Sequence, residues 1–209
     1  DTYSRSYNED VCVEVFRDER EQRDVVLLTS ENGLCQEIEL TSPRHEAGIG
    51  GVTRTDVNFD GTDDLLLYIG GSRGGCRFNA AFLGKPGEEG YRYAPSFSEI
   101  PSPRVDAEHG VIWGGSDYNY GHYYYAYEIL NGEYQMTHAL EALSEGGSHP
   151  ACRESLRKDG AMVEVRYWEA PAREKGWSNP VDIMEAYVRT GTVWEGWGWC
   201  DIRAYERYG

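Results

Sequence analysis

Asp56-Val57-Asn58-Phe59-Asp60-Gly61-Thr62-Asp63-Asp64-Leu65-Leu66-Leu67-Tyr68-Ile69 runs from a stretch rich in side-chain oxygens straight into an apolar strand. Oxygen-bearing side chains stand at its first, third and fifth positions and converge on one point if the chain curls. Gly61 supplies the sharp turn that lets Thr62 offer its carbonyl. Asp64, at the ninth position, is placed to close the shell, while Asp63 faces solvent and Leu65 to Ile69 enters the core. A hard cation that takes about 6–8 oxygens at roughly 2.3–2.6 Å suits this donor set, which holds no nitrogen or sulfur to favour zinc or copper. The expected ion is Ca2+, with Asp56, Asn58, Asp60, Thr62 and Asp64 as ligands. An EF-hand is excluded, because the twelfth position counted from Asp56 is Leu67 rather than a bidentate glutamate. An acidic Asx turn ahead of a strand is the plainer alternative, and the five matching positions weigh against it.

Outward from this loop the chain is a series of short apolar runs closed by turn residues. With 25 Gly, 16 Tyr and 6 Trp among 209 residues, it leans away from helix. Val11 to Arg17 alternates, Val25 to Thr29 is a compact buried run, and Glu31-Asn32-Gly33 turns into Leu34 to Leu40. Further strands are expected at Asn79 to Leu83, Gly110 to Trp113, His122 to Leu130, Glu133 to Leu143 and Ala161 to Glu169, and near the C-terminus. Asn131-Gly132 joins two of them as a hairpin. Asn179-Pro180 suggests a short helix over Val181 to Val188. No linker or repeat divides the chain, so a single all-β domain over 1–209 is expected.

A formal charge of -16 disfavours nucleic acid and anionic membrane surfaces. No apolar run approaches the roughly 20 residues of a transmembrane segment. The opening Asp-Thr-Tyr-Ser is no targeting segment. Cys12, Cys35, Cys76, Cys152 and Cys200 lack any Cys-x-x-Cys pair; two disulfides with one free thiol, or five free thiols, both satisfy the count. The expectation is at least one disulfide and an extracytoplasmic protein, periplasmic, cell-surface or secreted. Calcium outside the cytosol would fill a weak loop of this kind.

The form Asp-x-Asn-x-Asp-Gly-x-x-Asp followed by an apolar strand resembles the calcium loops of FG-GAP repeats. Val-Asn-Phe-Asp-Gly-x-x-Asp-Leu-Leu is similar to a narrower family of exported bacterial FG-GAP-like proteins. Some of these are periplasmic immunity proteins that inhibit lysozyme-like effectors of a type IV secretion system. The likeness runs more loosely from Cys35 to Leu140, through Phe97-Ser98-Glu99-Ile100, the Pro-Ser-Pro-Arg-Val-Asp run ending at Asp106, a Gly-Val-Ile-Trp strand and the Tyr-rich hairpin. It covers about half the chain. The resemblance implies a distorted β-propeller-like arrangement of antiparallel sheets, with a β-sandwich as the alternative, and the same five calcium ligands.

Gly70-Gly71-Ser72-Arg73-Gly74 matches Gly-x-Ser-x-Gly after a strand, with Asp106 and His149 downstream. The nucleophile elbow must open a helix, and Gly75 to Asn79 reads as turn and strand, so a glycine-rich turn is the better reading. The five histidines show no metal-ligand spacing. Tyr118, Tyr120, Tyr123, Tyr125 and Tyr127 cluster within ten residues, and strand alternation places Tyr123, Tyr125 and Tyr127 on one face. Tyrosine supplies rigid, amphipathic contact area but also fills β cores, so core packing is the reading for half of the clustered aromatics, and these five tyrosines are the expected partner-binding residues. The expected role is non-enzymatic: a calcium-binding β protein that meets a protein partner such as a lysozyme-like hydrolase. A cell-surface adhesin or saccharide-binding module is the alternative, and a serine hydrolase the least favoured.

Overall fold

The computed structural model describes residues 2–8, 11–18, 23–41, 50–72, 75–87, 89–118, 121–143 and 151–169. Among them there is no α-helix, and the only helical element is a 3-10 turn at Pro95–Glu99. The strands are β1 (Thr2–Asn8), β2 (Val11–Asp18), β3 (Arg23–Ser30), β4 (Cys35–Leu40), β5 (Val52–Thr55), β6 (Asp64–Gly71), β7 (Arg77–Gly84), β8 (Tyr91–Ala94), β9 (Arg104–Asp106), β10 (Val111–Tyr118), β11 (Gly121–Leu130), β12 (Glu133–Leu143), β13 (Ala151–Lys158) and β14 (Ala161–Glu169). They form three sheets, ordered β1-β2-β3-β4, β5-β6-β7-β8 and β14-β13-β12-β11-β10-β9. Neighbours in each sheet are consecutive in the chain, as short connections favour. The described residues are all-β, as the composition predicts. The expected helix over Val181 to Val188 and the C-terminal strands lie outside the described residues.

The chain divides into two compact units, one of Asp1–Arg73, Arg77–Val105 and Ile129–Tyr134, the other of Gly74–Cys76, Asp106–Glu128 and Gln135–Gly209. In the first, the two four-stranded sheets share one core. Val11, Val13, Val15, Val26 and Leu28 come from the first sheet, and Val52, Leu65, Leu67, Ile69, Ala80 and Phe82 from the second. Val11, Val13 and Val15 are buried and Cys12, Glu14 and Phe16 are not, so the period of two appears directly as burial. This packing of sheet on sheet has the character of the sandwich alternative. β6 is buried along nearly its whole length, which explains why it reads as an unbroken apolar run rather than an alternating one. The Gln36 side chain joins the two sheets: its Nε2 donates to the Tyr91 carbonyl at 2.7 Å and its Oε1 accepts from the Tyr91 N–H at 2.9 Å.

In the second unit, Ile112, Tyr124, Ala126, Leu140 and Cys152 are buried. β11 and β12 meet at Asn131 and Gly132, whose φ angles of 55° and 81° give the left-handed pair that a tight hairpin requires. The Asn-Gly signal is thus borne out. β5, β8 and β9, at four, four and three residues, are too short to show alternation in sequence, and β1 and β13 were likewise not anticipated.

The expected disulfide is corrected among the described cysteines, since Cys12, Cys35, Cys76 and Cys152 are all free thiols. Cys12 and Cys35 each stand opposite Thr29 from either side of β3. Two strand spacings put them about 10 Å apart, too far for a disulfide without backbone movement. Cys76 donates its thiol to the Gly115 carbonyl at 3.8 Å, and burial pushes the Cys152 thiol up to about 12. Alkylation of unreduced protein at pH 8 should label Cys35 in the native state and Cys152 only after unfolding, with all four carrying label once denatured. Peptide mapping that finds any of the four unlabelled after denaturation would contradict this arrangement.

Candidate cation loop and tyrosine hairpin

The loop from Asp56 to Asp64 curls because its short polar side chains take up its own backbone donors. Asp56 accepts from the Asp60 N–H at 3.3 Å and the Gly61 N–H at 2.8 Å. Asn58 Oδ1 accepts from Asp60 N–H at 3.1 Å, and Asp60 Oδ1 from Thr62 N–H at 2.8 Å. These are successive Asx turns. Gly61, at φ 84°, takes the left-handed turn foreseen for it, and Phe59 adopts φ 61° as a non-glycine residue. Such backbone strain persists where surrounding bonds over-determine it. Asp63 is exposed, as expected.

Asp64 is fully buried. Its Oδ2 accepts from the Val57 N–H at 2.8 Å and its Oδ1 from the Gly84 N–H at 2.9 Å, so one carboxylate ties the start of the loop to the end of β7. Gly84 suits this close approach, because a Cβ would stand 3.0 Å from the Asp63 carbonyl oxygen and crowd it. Burial raises the Asp64 pKa, the two backbone donors lower it, and the charges of Asp56 and Asp60 raise it again, leaving it at about 6.

The floor of the loop is closed by a residue that carries no signal in the sequence. Tyr134, two residues past the Asn131-Gly132 turn, donates its hydroxyl to the Val57 carbonyl at 3.0 Å across 77 positions of sequence. Its ring stands edge-on to buried Phe97 with centroids 5.0 Å apart, and its N–H donates to Ser96 Oγ at 3.0 Å. Burial and the nearby Asp64 charge hold its phenol well above the ordinary tyrosine range.

The side chains of Asp56, Asn58, Asp60 and Asp64 present oxygen acceptors, the chemistry a hard cation takes. Among the described residues no three His, Cys, Asp or Glu side chains gather as a metal-binding group. The acids alone therefore do not complete a shell, and the Asn58 amide oxygen and Thr62 carbonyl would have to contribute.

On β11 the expected alternation holds. The Tyr123 and Tyr125 rings stack with centroids 6.5 Å apart, and Tyr125 meets Tyr127 edge-on at 6.4 Å. Tyr123 and Tyr125 are half-buried, whereas Tyr127 is buried and belongs to the core rather than to a contact surface. The Tyr118 side chain and Tyr120 lie outside the described residues. Beside Tyr125, Arg153 Nε donates to Glu141 at 2.6 Å.

Ser72 follows β6, and the chain resumes as β7 at Arg77 rather than as the helix a nucleophile elbow needs. Asp106 is engaged locally: it accepts from the His109 N–H and Trp113 Nε1 and pairs with His109 Nδ1 at 2.8 Å. His149 lies outside the described residues. Burial alone would raise the Asp106 pKa; the bonds from Trp113 and His109 outweigh it and hold the carboxyl below the usual range.

No protein-family model matches this chain. No curated protein matches it either. Among solved structures it is similar to one described as a Xanthomonas type IV secretion system related protein, with 20% identity over 75% of this chain and 90% of that one and a TM-score of 0.52. At that identity the likeness is one of fold.

Proposed function

We propose that this chain is a non-enzymatic, extracytoplasmic β protein whose Asp56–Asp64 loop binds calcium and whose tyrosine hairpin meets a protein partner, acting as an inhibitor of a lysozyme-like cell-wall hydrolase. The self-bonded curl of the loop, with oxygen donors at the spacing a calcium loop requires, carries this reading. Calcium there is structural: it would supply counter-charge to Asp56, Asp60 and Asp64, and these residues with Asn58 and Thr62 would hold it. The fold shared with a type IV secretion system related protein supports a place in such surroundings. A charge of -16 favours rapid encounter with a basic hydrolase. Half-buried Tyr123 and Tyr125 offer rigid contact area at modest entropic expense.

The test is inhibition of a basic lysozyme-like hydrolase on purified cell wall, paired with direct binding measurements. Tyr125→Ala, once shown to fold, is expected to weaken binding by about 2 kcal/mol, roughly thirtyfold, as truncation of an aromatic hot spot does. Unchanged affinity in the folded variant would remove the hairpin from the interface. Absence of any inhibition by wild-type protein across a panel of such hydrolases would remove the inhibitor role.

A further inference from the structure

We infer that Tyr134 is a strut through which the state of the Asp56–Asp64 loop is transmitted to the tip of the β11–β12 hairpin. This deepens the reading above and rests on it for the identity of the ion. The strut itself rests on geometry alone.

Three contacts fasten the tip. The Tyr134 hydroxyl is on the Val57 carbonyl, its ring lies against Phe97, and its N–H is on Ser96. The first of these ends inside the loop. Val57 gives its N–H to Asp64 and its carbonyl accepts from Tyr134, so one residue is held from both sides by groups 7 and 77 positions away. Any rearrangement of the loop that releases Asp64 displaces the carbonyl on which Tyr134 stands. Val57 is itself fully buried, so a carbonyl left without its donor there has little access to water. Opening of the loop and opening of the tip therefore become one event rather than two. Ile129–Tyr134 accordingly groups with the loop's compact unit although both strands of the hairpin continue into the other. The hairpin that carries Tyr123 and Tyr125 is thus anchored at its turn by the proposed cation loop. Ion binding would stiffen the turn of the element proposed to meet the partner.

Tyr134→Phe removes only the hydroxyl and keeps the ring on Phe97, so the fold should survive; near-ultraviolet circular dichroism checks this. Amide hydrogen exchange is followed in residues 56–64 and 129–136, in wild type and variant, with calcium chloride or with a chelator. In chelator, Tyr134→Phe should exchange about tenfold faster than wild type in both segments, the loss of one buried hydrogen bond. Calcium should slow both segments in wild type but only the loop in the variant. Unchanged exchange at the tip in Tyr134→Phe, or calcium protection of the tip undiminished by the substitution, would overturn the strut. If calcium protects neither segment of wild type while the variant still speeds both, the strut stands and the calcium reading falls.

Discussion

Calcium at one hundred times its dissociation constant is expected to raise the melting temperature by about 5–10 °C over chelated protein, the equivalent of about 2.7 kcal/mol for a ligand that binds only the folded state. Asp60→Ala should melt alike in calcium and chelator. The pH dependence supplies an independent check through Asp64. Its folded-state pKa of about 6 lies above the ordinary value of 3.8, so the folded protein binds the proton more tightly than the unfolded chain. The resulting stabilisation is fully present below about pH 4 and is lost as pH rises through 6. Chelated wild type should therefore gain stability, relative to Asp64→Asn, as pH falls from 7 to 5. Calcium should flatten that difference, because a bound divalent ion neutralises the same carboxylates without a proton. Identical melting with calcium and with chelator for wild type at pH 7 would reject the cation loop.

Phe82→Ala should cost about 3–5 kcal/mol, a large share of the roughly 5–15 kcal/mol that holds a typical domain together. Phe82 has no exposed surface, lies in the core shared by the first two sheets, and packs its ring 5.5 Å from that of Tyr93. Truncation leaves a cavity between two sheets whose backbones are fixed by their ladders, so collapse around it is limited. Val163→Ala, at a site 41% exposed on β14, makes the contrast and should shift stability by less than about 1 kcal/mol. Urea denaturation of both variants gives the comparison. Equal midpoints would mean that the two sheets do not share the core described.

Asp106 adds a smaller acid-side effect. Because its carboxyl is held below the usual range, its contribution is present above about pH 4 and lost as pH falls further, opposite in sign to Asp64. The two groups can be separated by the direction in which each substitution tilts the stability profile.

The local parts of this protein were determined by the sequence alone. The period of two in Val11, Val13 and Val15, the apolar run Leu65 to Ile69 and the Asn131-Gly132 pair each specify their conformation through neighbours, because strand alternation and left-handed turn angles are properties of a few consecutive residues. The Asx-rich spacing from Asp56 to Asp60 was legible for the same reason, since each side chain bonds a donor within five positions. The tertiary structure decided whatever depends on residues far apart in the chain. It turned both Asp64 oxygens onto Val57 and Gly84 and set Tyr134 beneath the loop. It also buried Tyr127 while leaving Tyr123 and Tyr125 half-exposed, and placed Thr29 between Cys12 and Cys35 so that they cannot pair. No periodicity encodes these contacts. Each follows from which sheets pack together and in what register, and hydrophobic burial summed over the whole core selects that arrangement rather than the residues that come to touch.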